Sequence, residues 1–246
     1  MKAIHADPKE VRKLFVDTYL IPDFQRPYSW EVEQCEKLWE DITDFFDQRN
    51  DPNEKYFLGN LVIHPDGKEY HVIDGQQRLT TLLLLLKSFH MKAGVVVALE
   101  RCLKKEDPLT AKLTNEMRVN SNVVNNDKND LYDIIFNDGR GLSDCRMKTN
   151  FEYFTSAISE WWLIRHNDAE VLNDLILTFL DQVVLLPIHC SSEDDALTIF
   201  ETINNRGMSL TDADIFKAKL YAVSENKDKF IKEWQSLEEH EWLFRI

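Results

Sequence analysis

YFLGNLVIHPDGKEYHVIDGQQRLTTLLLLLKSFHMKA, residues 56–93, decides how the chain folds. Two β-rich runs flank Pro65-Asp66-Gly67-Lys68, whose residues favour a tight turn, so residues 56–74 read as a hairpin. The second run ends at Asp74-Gly75. The chain then passes at once into LTTLLLLLKSFHMKA, which is apolar on nearly every side and so predicts a helix buried in the middle of a domain. A strand, a glycine turn and a helix without a linker leave backbone amides pointing outward at the positive helix end.

Upstream, residues 8–16 predict a short amphipathic helix opened by Pro8, with Val11, Leu14 and Phe15 on one face. TYLIPDFQRPYSW, residues 18–30, predicts an extended stretch because Pro22 and Pro27 forbid a helix there. From Glu31 the apolar residues follow helical spacing (Cys35, Leu38, Trp39, Ile42, Phe45), and Ser29 is the expected N-cap. Downstream, VNSNVVNNDKND, residues 119–130, reads as a loop before a short helix, LYDIIF. A helical half starts near Asn150, with a second helix around Leu172–Leu180, one buried strand over 183–190, a helix capped by Ser191 or Ser192, another from Thr211 to Tyr221, and a last one over Lys229–Arg245. The final FRI closes inside that pattern, so the chain is expected to be a piece of something longer.

Lys plus Arg number 29 and Asp plus Glu 43 among 246 residues, a formal charge of −14, and hydrophobic residues make up 43%. That balance supports a folded core and excludes a generally basic nucleic-acid coat. With only 7 Gly and 7 Pro, long helices are favoured over a many-stranded sandwich, and the fold class is α+β. The four cysteines fit no metal or redox spacing and read as reduced thiols of a cytoplasmic protein. No stretch resembles a leader or a membrane span.

Three segments carry polar residues beyond what packing needs. In VIDGQQRLTT, Arg78 sits in the first helical turn, where the dipole alone disfavours a cation, so an anion bridging it to the amides would explain it. Gln76 and Gln77 add neutral donors, and Asp74 can ligate Mg²⁺ or fix the turn. The same residues also suit a plain strand-to-helix connection with an exposed Arg78. In IPDFQRPYSW, Gln25 and Arg26 are held by flanking prolines, and Tyr28 and Trp30 can stack on a base or anchor the core. By alternation Arg26 should share the face of Phe24 and approach Asp74, leaving Gln25 on the opposite side or the rim. In INNRG, Asn205 and Arg206 lie on a turn that faces a ligand or simply ends a helix at Gly207.

Taken in order, IPDFQRPYSW, YFLGN, VIDGQQRLTTLLLLLK and IFETINNRGMSLTDADIFK strongly resemble the N-terminal domain of GmrSD-type modification-dependent restriction endonucleases, also known as domain-of-unknown-function family 262. The resemblance runs from about Ile4 to about Tyr221. It implies a ParB- and sulfiredoxin-like small sheet with helices, followed by a mostly helical second half. The corresponding segments are a core over 1–93, a loop-rich insertion over 94–149 and a helical part over 150–246 ahead of a nuclease domain. It further implies binding and hydrolysis of a nucleoside triphosphate (GTP or ATP, with Mg²⁺) in control of DNA cleavage in phage defence. Carried onto this sequence, that assigns catalysis to Asp74, Gln77 and Arg78, the metal to Asp74, and nucleotide contacts to Gln25, Arg26, Gly75, Gln76, Gln77, Arg78, Thr80, Thr81, Asn205 and Arg206. DNA would be met through a local patch, another domain or a partner subunit, and a homo-oligomer is compatible with the sequence. No H-N-H constellation is visible. Three readings stay open: an NTP-hydrolysing regulatory domain, a sensor of DNA or nucleotide without turnover, and a ParB-like nuclease.

Overall fold

The computed structural model of the chain describes residues 5–123 and 126–191, together with 195, 220, 221, 224 and 226–241. The described elements form an α+β fold around one mixed sheet. The predicted hairpin is present as β4 (Tyr56–Asp66) and β5 (Glu69–Asp74), paired antiparallel with Val62 opposite Asp74. Strand β3 (Tyr19–Ile21) lies parallel to β5, and β8 (Val119–Ser121) parallel to β3 at one edge. On the other side of the hairpin, β9 (Val183–His189) runs parallel to β4 and pairs antiparallel with β1 (His5–Ala6) and β2 (Lys9–Glu10). The strand of the helical half is therefore an interior member of the sheet. The segment limits read at 93 and 150 do not separate packing units, since a single hydrophobic cluster runs from Val11 to Leu185.

Alternation along the hairpin explains the two layers. Leu61, Ile63 and Val72 face the main cluster, whereas Val62, Ile73 and Ile188 face a smaller one with Phe24, Tyr221 and Ile231. Helix α3 (Gln76–Ala93) fills the main side, with Leu79 and Leu82 to Leu86 without solvent exposure. Lys87, on the same helix, is buried too, and its ammonium is held by Asp138 at 2.8 Å. Around α3 stand α1 (Val11–Leu14), α2 (Val32–Gln48), α4 (Val97–Leu103), α5 (Asp127–Asn137), α6 (Arg146–Ile164) and α7 (Ala169–Gln182), while α8 (Lys227–Glu241) carries Ile231 onto the far face. No helix among the described residues is long and apolar enough to cross a membrane.

Several local expectations are corrected. Helix α2 is capped by Glu31, not Ser29, through a reciprocal box in which Gln34 accepts from the Glu31 amide at 2.8 Å. The 18–30 segment is a strand only over Tyr19–Ile21, after which the Gln25 amide closes a turn on the Pro22 carbonyl at 3.1 Å. The Asn- and Asp-rich stretch holds β8 and the start of α5, and residues 94–118 hold α4 and a separate hairpin, β6 (Lys104–Glu106) with β7 (Leu113–Met117). The expected helix after Ser191 or Ser192, the Asn204–Gly207 stop and most of the Thr211–Tyr221 helix lie outside the described residues.

Candidate functional site

Gly75 turns the end of β5 into α3 with φ +93°, a left-handed conformation that glycine adopts without strain. Space demands glycine as well, because a Cβ would stand 2.9 Å from Leu61 Cδ1 and 3.2 Å from the Asn60 carbonyl. Beyond Val62, β4 runs past the end of β5, so the Asn60 carbonyl has no strand partner on that side. Arg78, in the first turn of α3, donates to it from Nη1 at 2.8 Å. Gly59 (φ +136°) makes room for this: a Cβ there would lie 3.0 to 3.2 Å from the guanidinium. Sequence reasoning quoted Gly59 and Asn60 only as part of a motif, although a glycine inside a strand already signals the close approach of another group.

The 25–30 loop is tied to α3 by side chains. Gln25 donates to the Ile73 carbonyl at 2.9 Å and accepts from Gln76 Nε2 at 3.0 Å. Gln77 is a two-ended clamp, donating to the Pro27 carbonyl at 3.0 Å and accepting from the Ser29 and Trp30 amides at 2.7 and 3.3 Å. The Tyr28 hydroxyl bonds Thr81 Oγ1 at 2.8 Å and accepts from Asn150 Nδ2 at 2.9 Å, which also donates to the Trp30 carbonyl. Asp127 receives the Tyr28 amide at 2.7 Å. Neither Asn150 nor Asp127 was singled out in the sequence; each lies about 100 residues or more from the loop it holds, and no spacing rule reaches that far.

The structure puts Gln25 on the 74–78 turn rather than on the opposite face, because the Pro22–Gln25 turn breaks the alternation on which that expectation stood, while Arg26 reaches the turn only through the influence of its charge on Asp74. Thr81 is fully buried and Thr80 nearly so, which places both behind the turn; Thr81 is spent on Tyr28 and on the Gln77 carbonyl. Asn205 and Arg206 lie outside the described residues.

Burial raises the Asp74 carboxyl above its ordinary range, against the Gly75 amide and the positive charges of Arg78 and Arg26. Burial likewise works against the Arg78 charge, which Asp74 supports. Neither arginine comes within 4.0 Å of Asp74 as an ion pair among the described residues, and Arg26, half-buried, has no hydrogen bond there either. Helix α3 has no side-chain cap and no acid in its first turn, unlike α7, where Asp168 accepts from two amides. The turn thus gathers two guanidinium groups, unspent amides and one carboxylate, a combination suited to an anion accompanied by a cation. Asp74 is the sole carboxylate of the turn, and among the described residues no group of three metal-ligating side chains exists, so a divalent ion would need oxygens from a ligand.

The sequence model of the GmrSD restriction endonuclease N-terminal domain matches residues 9–221. The chain belongs to this family. It is accordingly a restriction-system domain of phage defence. No match emerges among curated proteins. In this GmrSD domain the matched span covers the whole sheet apart from β1, and with it both the 25–30 loop and the 74–78 turn.

Proposed function

We propose that the chain binds a nucleoside triphosphate, GTP or ATP, with Mg²⁺ at the Gly75 turn, and hydrolyses it to regulate a DNA-targeting restriction system. The observation that carries this reading is the pair of arginines, Arg26 and Arg78, set around Asp74 at an uncapped helix start without an ion pair to neutralise them. An unpaired guanidinium half-removed from water is costly, and phosphate oxygens are the anions its planar fork fits best. The amides of α3 and both arginines would hold phosphate and offset charge as it develops, while Asp74 would hold Mg²⁺ beside it. The ion, when bound, supplies electrophilic stabilisation of phosphate charge. Gln77 would act by position alone, fixing the loop that carries Arg26.

One observation favours the second reading, a sensor without turnover: both ends of the Gln77 amide are engaged by backbone of the 25–30 loop, which holds the side chain in a structural clamp rather than free to position a water. With a formal charge of −14, DNA would be met through a local patch or a partner subunit. Melting of the chain with GTP or ATP, with and without Mg²⁺, followed by phosphate release, decides between the two. Stabilisation with release supports the NTPase, stabilisation without release the nucleotide sensor, and no stabilisation by either nucleotide sinks both of these and leaves only a sensor of DNA.

A further inference from the structure

The 25–30 loop is tied down at every residue but one. Gln25, Pro27, Tyr28, Ser29 and Trp30 each commit a backbone or side-chain group to β5, α3, α5 or α6. Arg26 enters none of these bonds, and among the described residues it has no other. The loop is thus a fixed frame with a single untied side chain, and that side chain is a cation.

The support from α6 is Asn150, which is 1% exposed and stands among the buried Met147, Phe151 and Phe154. An amide at such a position costs free energy unless it is hydrogen-bonded, and Asn is a poor helix former, so neither packing nor helix propensity accounts for it. What accounts for it is the loop. Nδ2 donates to the Tyr28 hydroxyl and to the Trp30 carbonyl, each at 2.9 Å. Thr81 gives its only hydroxyl proton to the Gln77 carbonyl, so the Tyr28 hydroxyl donates to Thr81 and accepts from Asn150. A buried chain whose protons each have one place to go fixes a single arrangement. Gln77 grips loop backbone alone, whereas Asn150 joins the Tyr28 side chain to the Trp30 backbone.

We propose that Asn150 is a positioning residue of the anion site: from α6 it holds the 25–30 loop in the one arrangement that presents Arg26 to a phosphate at the Gly75 turn. The inference rests on the nucleotide reading above. A loop ordered in advance spares the binding step the conformational entropy of ordering it, so the contribution of Asn150 shows in affinity without any contact to the ligand.

The test uses the full chain carrying Asn150→Leu, which keeps the branched shape of the side chain and removes both donors. Hydrogen exchange of the Ser29 and Trp30 amides, which Gln77 protects, should quicken about tenfold. With Mg²⁺ present, GTP or ATP should bind about tenfold more weakly, the loss expected when a residue or two must be ordered on binding. In an Arg26→Ala background the same change should cost less than about twofold, since the loop then has nothing to present. Phe154→Leu, one turn further along α6, should lower the melting temperature and alter loop exchange and affinity less than about twofold. Tyr28→Phe removes the hydroxyl alone and carries the same comparison where Asn150→Leu does not fold. Unchanged loop exchange, an equal effect of Phe154→Leu, or an equal affinity loss with and without Arg26 would each overturn the inference while the nucleotide reading stands. A parent chain that binds neither nucleotide overturns both.

Discussion

Arg26 is the cleaner probe of the phosphate reading, because among the described residues its side chain makes no hydrogen bond or ion pair that the fold would lose. Arg26→Ala is expected to leave melting unchanged while lowering nucleotide affinity by about 1.5–3 kcal/mol, the worth of a charge-assisted hydrogen bond. Arg78→Ala should lose a similar amount and also some stability, since Asn60 forfeits its donor; titration and melting on the same samples separate the two. Asp74 makes an opposite claim on stability. Its folded pKa lies above the unfolded one, so the folded chain binds the extra proton between them, and its contribution is greatest in acid and falls as pH rises through the folded value. Asp74→Asn should therefore raise the melting temperature at pH 7, lose the advantage on acidification, and abolish Mg²⁺-dependent phosphate release. Gly75→Ala, with its Cβ driven against Leu61 and a positive φ, should cost about 1–3 kcal/mol in chemical denaturation. At this scale the sequence was legible where chemistry is local. Asp74, Gly75 and Arg78 are neighbours on one turn, whereas the side Gln25 takes depends on a turn that two prolines favour without dictating.

Helix α3 was legible because a run apolar on all sides has nowhere to go but the centre. Leu84→Ala should cost about 2–5 kcal/mol through lost burial and a cavity, while Ile164→Ala, on an exposed side chain, should stay within about 0.5 kcal/mol; denaturant midpoints at matched slope compare them. The hairpin was legible for a similar reason, its β-rich runs bracketing a turn sequence. Short β3 and β8 were not, because three-residue strands carry too little pattern and owe their state to pairing with each other and with β5. The clamp between α3 and the 25–30 loop was equally hidden. Gln77 looks like a ligand-binding donor in the sequence and is spent on three backbone groups in the fold.

Over the whole molecule, the acid excess makes a firm expectation for DNA. Alone, the chain should not retard a duplex of about 30 base pairs at about 0.15 M salt in a mobility-shift gel. Retardation would reveal a local basic patch strong enough to overcome the overall field. The sequence conveyed the charge and the α+β class, yet it did not convey that residues 183–189 enter the sheet between the N-terminal strands and the hairpin, since parallel neighbours far apart in sequence leave no mark in local periodicity. That placement has a consequence for biosynthesis. Until the ribosome has made and released His189, β4 presents an open edge, β1 and β2 have no partner, and the turn bearing Arg78 rests on an unfinished sheet. Closure waits on contacts between residues some 180 positions apart, the kind that form slowly. A nascent chain of this protein thus holds an unsupported Gly75 turn until residue 189 has emerged, and a product terminated ahead of β9 should aggregate through the bared strand.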